Sequence, residues 1–481
     1  MFLPDLGRVV ARPYIPSGEL SDPEPRTTRL VRRVLSLPKE QVTARLELIL
    51  EDFGSRHRDL RAILQDSYGH VLSRLRDHGT DLGEATEEQM LLIGAYATHE
   101  FTIQAAGFFN PSMVAAPDQD GVAPGECRFV MSARSVGEGH LSCIEFRSGR
   151  VGVDGVVRFD HTSPFATTGS ISPAQYNQAM FGAKLRELGA DEDLVDKLLS
   201  PLGSTFALDA LELRITELSV EGVSAGAAYK TVELARMLAS SNYVVDFPAE
   251  VPVSERVVFP VGPTESRGME DARFVRFTDD DGSVTYYATY TAFDGASILP
   301  QLIETADFRC FRIATLNGPS ARNKGMALFP RRIGGQYVAL SRYDQENIDI
   351  MFSSEVRHWE DRQPLRKPVH DWELVQIGNC GSPLETEAGW LVLTHGVGPM
   401  RTYALGALLL DREDPQRVLG ALDEPLLTPD QDERNGYVPN VLYSCGGMLH
   451  DGLLILPFGF SDAGIRVAVA DLDTLLERLT S

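Results

Sequence analysis

The sequence predicts a mainly β protein: a five-bladed β-propeller that carries an N-terminal α-helical segment and a helical insertion. Two observations lead to this fold class. After Asn110, short apolar runs alternate with Gly, Asp and Pro, as strands do with tight turns. Within that region similar stretches begin at Asp271, Asn323, Gly381 and Asn440, at a spacing of about 50 to 60 residues, the size of a four-stranded propeller blade.

Each repeated stretch contains a strand, a tight polar or glycine-containing turn, a second strand that ends in a polar residue, and a further strand. An additional copy, CRFVMSARSVGEGHLSCIEFRSG, begins at Cys127 and brings the number of copies to five. Five copies predict five blades. A sandwich of short strands is the alternative architecture that the same pattern allows.

The N-terminal part of the chain has a different pattern. The residues before Thr27 are rich in Pro and polar side chains, which predicts an extended arm. From Thr27 to about Ala106, apolar residues recur at helical spacing. Thr86, which two glutamates follow, has the features of a helix N-cap.

The gap between the first two copies of the repeat is too long for a single blade. It contains helix-like stretches, so residues 165–242 are predicted to form a helical insertion. Two domains are therefore expected. Residues 1–107 form an N-terminal arm and helical segment, and residues 108–481 form the propeller with its insertion.

Composition limits the functions that the chain can have. The net charge of −23 argues against a nucleic-acid partner, because binding to a phosphate backbone needs a basic face. No apolar run approaches the roughly 18 residues that cross a bilayer, and the first residues lack a basic-then-apolar signal pattern, so no membrane partner is expected and the cytoplasm is the predicted compartment. The five scattered cysteines contain no CxxC pair, so no metal site is predicted.

Charged side chains recur at matching places in the repeats. In a propeller these places converge on an axial pocket, and carboxylates among Arg and Lys suit a polyhydroxylated substrate, with one carboxyl group as the proton donor. Asp271 lies at one of these places. The residues expected to bind the substrate are Arg134, Glu138, Glu270, Arg273, Asp344 and Asp462. Lys324, Arg342 and His395 occupy equivalent places.

Several segments, in the same order, resemble the motifs of glycoside hydrolase family 130. GMEDARF at 268–274 resembles the family signature GxEDPR. The other matching segments are NKGMALFPRRIGGQYVALSR (323–342), IGNCGSPLETEAGWLVLTHGV (377–397), YALGALLLDREDPQRVLG (403–420) and GYVPNVLYSCGG (436–447). The resemblance extends over about residues 255–475.

The resemblance implies a five-bladed propeller that acts on β-mannosides, most often by inverting phosphorolysis to mannose 1-phosphate. The catalytic acid of the family falls on Asp271, and Arg273 would orient that carboxylate or the sugar. The family pocket holds inorganic phosphate with basic residues, and the expected phosphate-binding residues are Lys324, Arg342, His395 and Arg134. Three cations in one pocket repel one another, and phosphate is the anion expected to neutralise Lys324, Arg342 and Arg134.

This sequence departs from the family pattern at two places. The proline after the catalytic aspartate is Ala272 here, and the family's LHR reads Leu340-Ser341-Arg342, so that a histidine on the phosphate side is a serine. These changes leave acceptor specificity and phosphate use open.

Three alternative functions are therefore kept. The first is an inverting β-mannosidase in which Glu138 or Asp344 is the base, the second is a mannosyltransferase that uses a nucleotide sugar, and the third is a non-catalytic sugar-binding protein. No cofactor is expected beyond inorganic phosphate as co-substrate. The expected partners are a mannoside oligosaccharide and phosphate, and formation of a homo-oligomer is left open.

Overall fold

A computed structural model describes residues 1–16, 25–77, 84–220 and 225–480. The chain divides into two compact units. The larger unit comprises Met1–Pro4, Ala106–Thr162 and Thr168–Ser481, and the smaller unit comprises Asp5–Ala105 and Ser163–Thr167. The larger unit is mainly β with additional helices, as predicted. No helix in the described ranges is both long enough and apolar enough to cross a membrane.

The smaller unit consists of helices and one two-stranded sheet. Its elements are β1 (Val9–Pro13), α1 (Arg26–Leu35), α2 (Lys39–Phe53), α3 (Leu60–Asp77), α4 (Glu87–Tyr96) and β2 (Thr98–Thr102). The predicted N-cap of α4 is confirmed. The Thr86 hydroxyl accepts a hydrogen bond from the Gln89 N–H, and the Gln89 side chain accepts one from the Thr86 N–H.

The predicted helical pattern from Thr27 to Ala106 is wrong beyond α4. Strand β2 pairs antiparallel with β1, so part of the predicted extended arm also has a sheet partner. Threonine and phenylalanine favour a strand once a neighbouring strand offers hydrogen bonds, and this tertiary partner is invisible in the local pattern. Residues 17–24 of the predicted arm lie outside the described residues.

The larger unit begins with an antiparallel meander, which a helical insertion follows. The strands of this first meander are β3 (Gly107–Ala115), β4 (Cys127–Val136), β5 (Ser142–Val151) and β6 (Val157–Phe159). The next elements are β7 (Thr167–Thr168), β8 (Ser170–Pro173), β9 (Tyr176–Asn177), α5 (Gln178–Glu187), α6 (Glu192–Leu199), β10 (Thr205–Phe206), α7 (Leu208–Val220), α8 (Ala225–Ser240), β11 (Tyr243–Asp246) and β12 (Arg256–Val258). The helices bury one apolar cluster of their own, which includes Phe181, Leu185 and Leu211.

Four further antiparallel meanders follow in chain order. The second contains β13 (Gly268–Thr278), β14 (Val284–Phe293), β15 (Ile298–Thr305) and β16 (Cys310–Thr315). The third contains β17 (Ala327–Leu328), β18 (Tyr337–Ser341), β19 (Ile348–Ser353) and β20 (Arg362–Arg366). The fourth contains β21 (Gln376–Asn379), β22 (Leu384–Thr386), β23 (Gly389–Val397), β24 (Tyr403–Leu410) and β25 (Val418–Ala421). The fifth contains β26 (Leu442–Tyr443), β27 (Met448–His450), β28 (Leu453–Phe460) and β29 (Gly464–Asp471), and α9 (Leu472–Thr480) follows it.

The first repeat copy was predicted to start at Cys127, which is the start of β4, and β3 was missed. Its sequence, GFFNPSMVA, contains Pro111, and proline inside an apolar run argues against a strand. The structure accommodates Pro111 in a β-bulge, because the pairing of β3 with β4 shifts between Phe109 and Ser112.

A second bulge lies in β13. Its pairing with β14 shifts between Glu270 and Arg273, and Asp271 has the left-handed backbone angle φ 56°. Asn110, in the bulge of β3, has φ 51°. Asn and Asp tolerate this conformation better than other non-glycine residues. Both bulges therefore turn a polar side chain out of the regular alternation of its strand.

One prediction concerns the contact between α3 and α4 in the smaller unit. A Cβ atom added at Gly94 would lie 1.9 Å from the backbone oxygen of Leu64, so Gly94→Ala forces the two helices apart. We expect a loss of about 1–3 kcal/mol in the free energy of unfolding, as for other overpacked sites. Gly69→Ala is the matched control: Gly69 lies within α3 with nothing within 4 Å of its added Cβ, and a gain of about 0.5–1 kcal/mol is expected. Urea unfolding followed by circular dichroism measures both, and equal effects would contradict the close contact.

Candidate active site

A buried carboxylate, Glu270, lies at the centre of the candidate site between two cations. The Nη2 of Arg134 donates to Glu270 Oε1 at 2.9 Å, and the Nζ of Lys324 donates to Oε2. Arg134 lies on β4, Glu270 on β13, and Lys324 just before β17. One carboxylate therefore joins the first three meanders. Glu270 reduces the repulsion expected between Arg134 and Lys324, but its single negative charge offsets only one of their two positive charges.

The next residue, Asp271, has a different environment. Asn110 Nδ2 donates to Asp271 Oδ1 at 2.7 Å, and Arg134 Nη1 lies 3.7 Å from the same oxygen. Burial raises the pKa of Asp271, but the charges of Arg134 and Arg273 lower it. The hydrogen bond from Asn110 and the charge of Lys324 act in the same direction, and the net pKa lies below the ordinary value of an aspartate. Asp271 is thus ionised at neutral pH.

Arg273 is 2% exposed and acts as a cross-link between meanders. Its Nε donates to the carbonyl oxygen of Cys380 at 3.0 Å and its Nη2 to the Tyr443 hydroxyl at 2.8 Å. Its Nη1 donates to the backbone oxygen of Asp271 at 3.2 Å. Arg273 therefore fixes the main chain that carries Asp271, while its charge reaches the carboxylate only electrostatically.

His395 and Arg342 form a second part of the site. His395 lies on β23 and is fully buried, yet within the described chain neither ring nitrogen has a hydrogen-bond partner, and the buried Nε of Arg342 has none either. Burial, followed by the charges of Arg342 and Arg273, lowers the pKa of His395 well below its ordinary value, so the ring is neutral at pH 7. A Cβ at Gly378 would lie 2.4 Å from Arg342 Cδ and 2.6 Å from His395 Cε1, so these two side chains lie next to each other over a glycine.

Two tyrosines border the His395 ring. Tyr403 is parallel to it with 6.0 Å between the centroids, and Tyr443 lies 4.7 Å away. Tyr443 accepts the hydrogen bond from Arg273, which places the His395 region beside the Asp271 main chain. The two parts of the site are thus continuous.

Asp462 lies between β28 and β29 and has the left-handed angle φ 51°. Burial and the negative charge of Asp271 raise the pKa of Asp462 to about 6, although Arg134 and Arg401 oppose this. Asp271 and Asp462 interact electrostatically and have opposite pKa shifts. Such a pair of shifts is typical of two carboxyl groups with separate acid and base roles.

The contacts of the described residues do not connect the two remaining predicted residues, Glu138 and Asp344, to this network. Glu138 is exposed on the one-turn 3-10 helix Glu138–His140. Asp344 accepts hydrogen bonds from the N–H groups of Glu346 and Asn347 at 3.0 and 2.8 Å and from the Asn347 side chain at 2.6 Å. These bonds stabilise the turn that follows β18.

Sequence reasoning missed Asn110, Tyr403 and Tyr443. An Asn-Pro pair after an apolar run is a turn signal, and it was the only local hint of Asn110. The two tyrosines have no local signal, because an aromatic residue in a strand is ordinarily part of the core. No group of three or more His, Cys, Asp and Glu side chains in the described ranges is arranged to hold a metal ion.

A stability measurement tests the electrostatics of the Asp462 carboxyl group. Because the folded-state pKa of Asp462 is raised, the free energy of unfolding falls as the pH rises from about 4 to about 6. Above that range the wild type is destabilised by the full amount, because the buried carboxyl group is ionised. We expect Asp462→Asn to be more stable than the wild type by about 1–3 kcal/mol at pH 7.5, with a difference that shrinks toward pH 4. Asp451→Asn is the matched control, since Asp451 is exposed in a turn of the same meander with φ 47°. Urea unfolding at the two pH values would contradict the assignment if both variants behaved alike.

Comparison with known proteins agrees with this chemistry. The family model described as beta-1,4-mannooligosaccharide phosphorylase matches residues 230–481, more than half of the chain. A 1,2-beta-oligomannan phosphorylase from Thermoanaerobacter sp. (strain X514) is 36% identical over 216 residues, 43% of this chain and 70% of the relative. A beta-1,2-mannobiose phosphorylase from Listeria innocua serovar 6a is 28% identical over 267 residues, 54% of this chain and 72% of the relative.

Among solved structures, beta-1,2-mannobiose phosphorylase from Listeria innocua in complex with beta-1,2-mannobiose matches 78% of this chain and 92% of that chain, at 22% identity and a TM-score of 0.45. The family model and the curated relatives agree with the motif order seen in the sequence. The chain therefore belongs to glycoside hydrolase family 130, the family of the beta-1,4-mannooligosaccharide phosphorylases.

Proposed function

We propose that this protein is an inverting glycoside phosphorylase that cleaves β-mannosides with inorganic phosphate and releases mannose 1-phosphate. The observation that carries the proposal is that one site contains both a buried carboxylate and buried nitrogen atoms without protein partners. Asp271 lies in a bulge where Asn110 holds its carboxylate, and beside it Arg342 and His395 present buried nitrogen atoms without protein partners. The first environment suits an acid and the second an anion. Family membership and the names of the relatives support the same reaction.

The five meanders are proposed to be the blades of a five-bladed propeller. Contacts between the first and last meanders support closure of the ring, because the Met113 N–H donates to the Gly446 oxygen at 3.1 Å and the Cys445 N–H to the Pro111 oxygen at 2.8 Å. A cavity of about 420 Å³ is also lined by residues of all five meanders, among them Met113, Phe274, Pro330, Ser382 and Met448. A common axial channel accounts for such a lining.

Phosphate is assigned to the space beside Arg342 and His395, with Lys324 and Arg134 at its edge. Arg342 is not paired with Glu270 in the described contacts, and Glu270 offsets only one of the charges of Arg134 and Lys324, so net positive charge is available to an anion. A neutral imidazole still donates one N–H to a phosphate oxygen. Ser341 adds a buried hydroxyl without a partner in the described chain, at the position where the family motif has histidine. Such a local cluster lets a protein of net charge −23 bind an anion.

In the proposed reaction a phosphate oxygen bonds to the anomeric carbon of the mannosyl residue while the bond from that carbon to the leaving sugar breaks. The attack comes from the face opposite the leaving sugar, which inverts the configuration. The glycosidic oxygen keeps the electron pair of the broken bond and takes up a proton, which Asp271 supplies directly or through a sugar hydroxyl.

Proton supply links the acid to the phosphate. The cations that lower the pKa of Asp271 are Arg134, Arg273 and Lys324. A phosphate dianion beside them offsets their field, so the pKa of Asp271 rises as phosphate binds. The acid therefore gains its proton when the nucleophile is already in place. Asp462, whose pKa is raised to about 6 by burial and by the charge of Asp271, is a group able to exchange that proton.

Hydrolysis by an inverting mannosidase finds less support. It needs a second carboxylate that activates water on the opposite face of the sugar. Glu138 is exposed on its 3-10 turn, and the oxygens of Asp344 bind the turn that follows β18. The proposal covers both β-1,2- and β-1,4-linked substrates, since the relatives are named for both. Both classes of substrate belong in the first assay.

Asp271→Asn is expected to abolish turnover without unfolding the protein. The amide keeps the volume and the contact with Asn110 but carries no transferable proton, and loss of a general acid costs roughly 10²- to 10⁴-fold in kcat. Release of mannose 1-phosphate from β-1,2- and β-1,4-mannobiose in phosphate measures it. Asp280→Asn, in the exposed turn after β13, is the control and should leave kcat unchanged. Retention of more than about a tenth of the wild-type kcat would rule out Asp271 as the acid.

Arg342→Gln is expected to raise the KM for phosphate by at least about tenfold, while the KM for the mannoside changes by less than about threefold. The control is Arg412→Gln, because Arg412 is half exposed in its surface pair with Glu385. Initial rates with each substrate varied in turn separate the two constants. If the wild type cleaves mannosides equally well without phosphate and releases free mannose, the enzyme is a hydrolase and the phosphorylase proposal is wrong.

A further inference from the structure

An exposed aromatic pair lies at the edge of the candidate site and takes no part in the ion-pair network. The rings of His140 and Tyr437 are stacked, with 5.5 Å between centroids and 29° between planes. The Tyr437 hydroxyl lies 3.1 Å from His140 Nδ1. Tyr437 is 55% exposed and His140 is also exposed, so the pair fills no core. An ordered aromatic surface that faces solvent is a common feature of binding sites.

Tyr437 is tied to the loop that carries Asp462. The N–H of the following residue, Val438, donates to the Ser461 oxygen at 3.0 Å. A Cβ added to the preceding residue, Gly436, would lie 2.4 Å from that same oxygen, so the backbones meet without room for a side chain. Ser461 is the residue before Asp462. Both chain neighbours of Tyr437 therefore contact the backbone of Ser461, in the loop that carries Asp462.

His140 is tied to the strand that carries Glu270. It lies in the connection between β4 and β5, where the N–H of Gly137 donates to the oxygen of Leu141 at 2.9 Å. Two residues later, the Ser142 hydroxyl donates to the oxygen of Met269 at 2.8 Å, next to Glu270. The aromatic pair thus lies on segments whose backbones are hydrogen-bonded next to Asp462 and next to Glu270.

A second exposed feature is associated with Asp462. Met400 and Arg401 both have left-handed backbone angles, φ 56° and 55°, and Met400 is 90% exposed. The charge of Arg401 acts on Asp462, and its guanidinium lies 5.8 Å from the ring of Tyr403, which stacks on His395. Consecutive non-glycine residues in this conformation cost energy and persist mainly at functional sites. Segments of the first, fourth and fifth meanders therefore converge around Asp462.

We propose that the His140–Tyr437 pair is the platform for the leaving-group sugar, the pyranose that departs from the mannosyl residue and serves as acceptor in the reverse reaction. This inference rests on the proposed function. One face of a pyranose ring presents C–H groups that pack on an aromatic ring, while its edge presents hydroxyls that need partners. Nδ1 of His140 forms a hydrogen bond with the Tyr437 hydroxyl, so Nε2 is the ring nitrogen that can form a hydrogen bond with a sugar hydroxyl. The platform selects the acceptor and does not act on the mannosyl residue or on phosphate.

The test uses the reverse reaction of the full chain, with mannose 1-phosphate as donor and mannose, glucose or β-mannobiose as acceptor. Tyr437→Ala is expected to raise the KM for the acceptor by about tenfold or more and to change the KM for mannose 1-phosphate by less than about twofold. Tyr437→Phe keeps the ring and loses the hydroxyl, so most of the acceptor affinity should remain. Tyr229→Ala, which removes a tyrosine 68% exposed on α8, is the matched control and should change neither constant.

Two results would overturn the inference. One is an unchanged acceptor KM in Tyr437→Ala, and the other is an equal rise in the two constants, which indicates a general disturbance of the site. If the wild type forms no product with any acceptor, the proposed function fails. Calorimetric titration with β-1,2- and β-1,4-mannobiose then tests sugar binding by the His140–Tyr437 pair independently of turnover. Binding lost in Tyr437→Ala but kept in Tyr229→Ala supports it. Equal binding by both variants refutes it.

Discussion

The site depends on one buried interaction, the carboxylate of Glu270 between Arg134 and Lys324. These three side chains come from three meanders, so the pairing fixes the distances between elements that are far apart in the chain. Removal of Glu270 would leave two cations facing each other in a partly desolvated site, which is far more costly than the loss of a surface ion pair. The same cations lower the pKa of Asp271, so the structural pairing also sets the charge of the proposed acid.

Local backbone strain accompanies this electrostatic arrangement. Asn110 and Asp271 lie in bulges with left-handed angles, and Asp462 and Arg401 share that conformation in loops. A regular strand would point successive side chains to opposite faces, which would separate Glu270 from Asp271. The bulge allows both carboxylates to reach the same cationic neighbourhood with different partners. Glu270 is held between two cations, whereas Asp271 accepts a hydrogen bond from Asn110 and is the proposed acid.

In an acidic protein, the charges close to a site determine whether it binds an anion, and the net charge of the whole chain matters less. The net charge of −23 opposes the approach of phosphate, but a side chain at contact distance in a buried site outweighs distant, screened charges. Arg342 and His395 supply nitrogen atoms that no protein group satisfies in the described chain, and unsatisfied buried donors favour a ligand. Neutrality of the His395 ring limits the positive charge next to Asp271, which favours protonation of the proposed acid when the proposed phosphate binds.

The sequence by itself determined the mainly β class and the family, because motifs such as GMEDARF are contiguous and their order is preserved, and the same motif made Asp271 the candidate acid. It also marked the cap at Thr86, whose hydrogen bonds are local. Tertiary structure alone decided which charges meet. Glu270 lies between Arg134 and Lys324, Asp344 accepts hydrogen bonds within its own turn, and Asn110 donates to Asp271. The reason is physical: a pattern of residues reports propensity along the chain, whereas ion pairing, burial and pKa depend on distances between strands that only folding brings together.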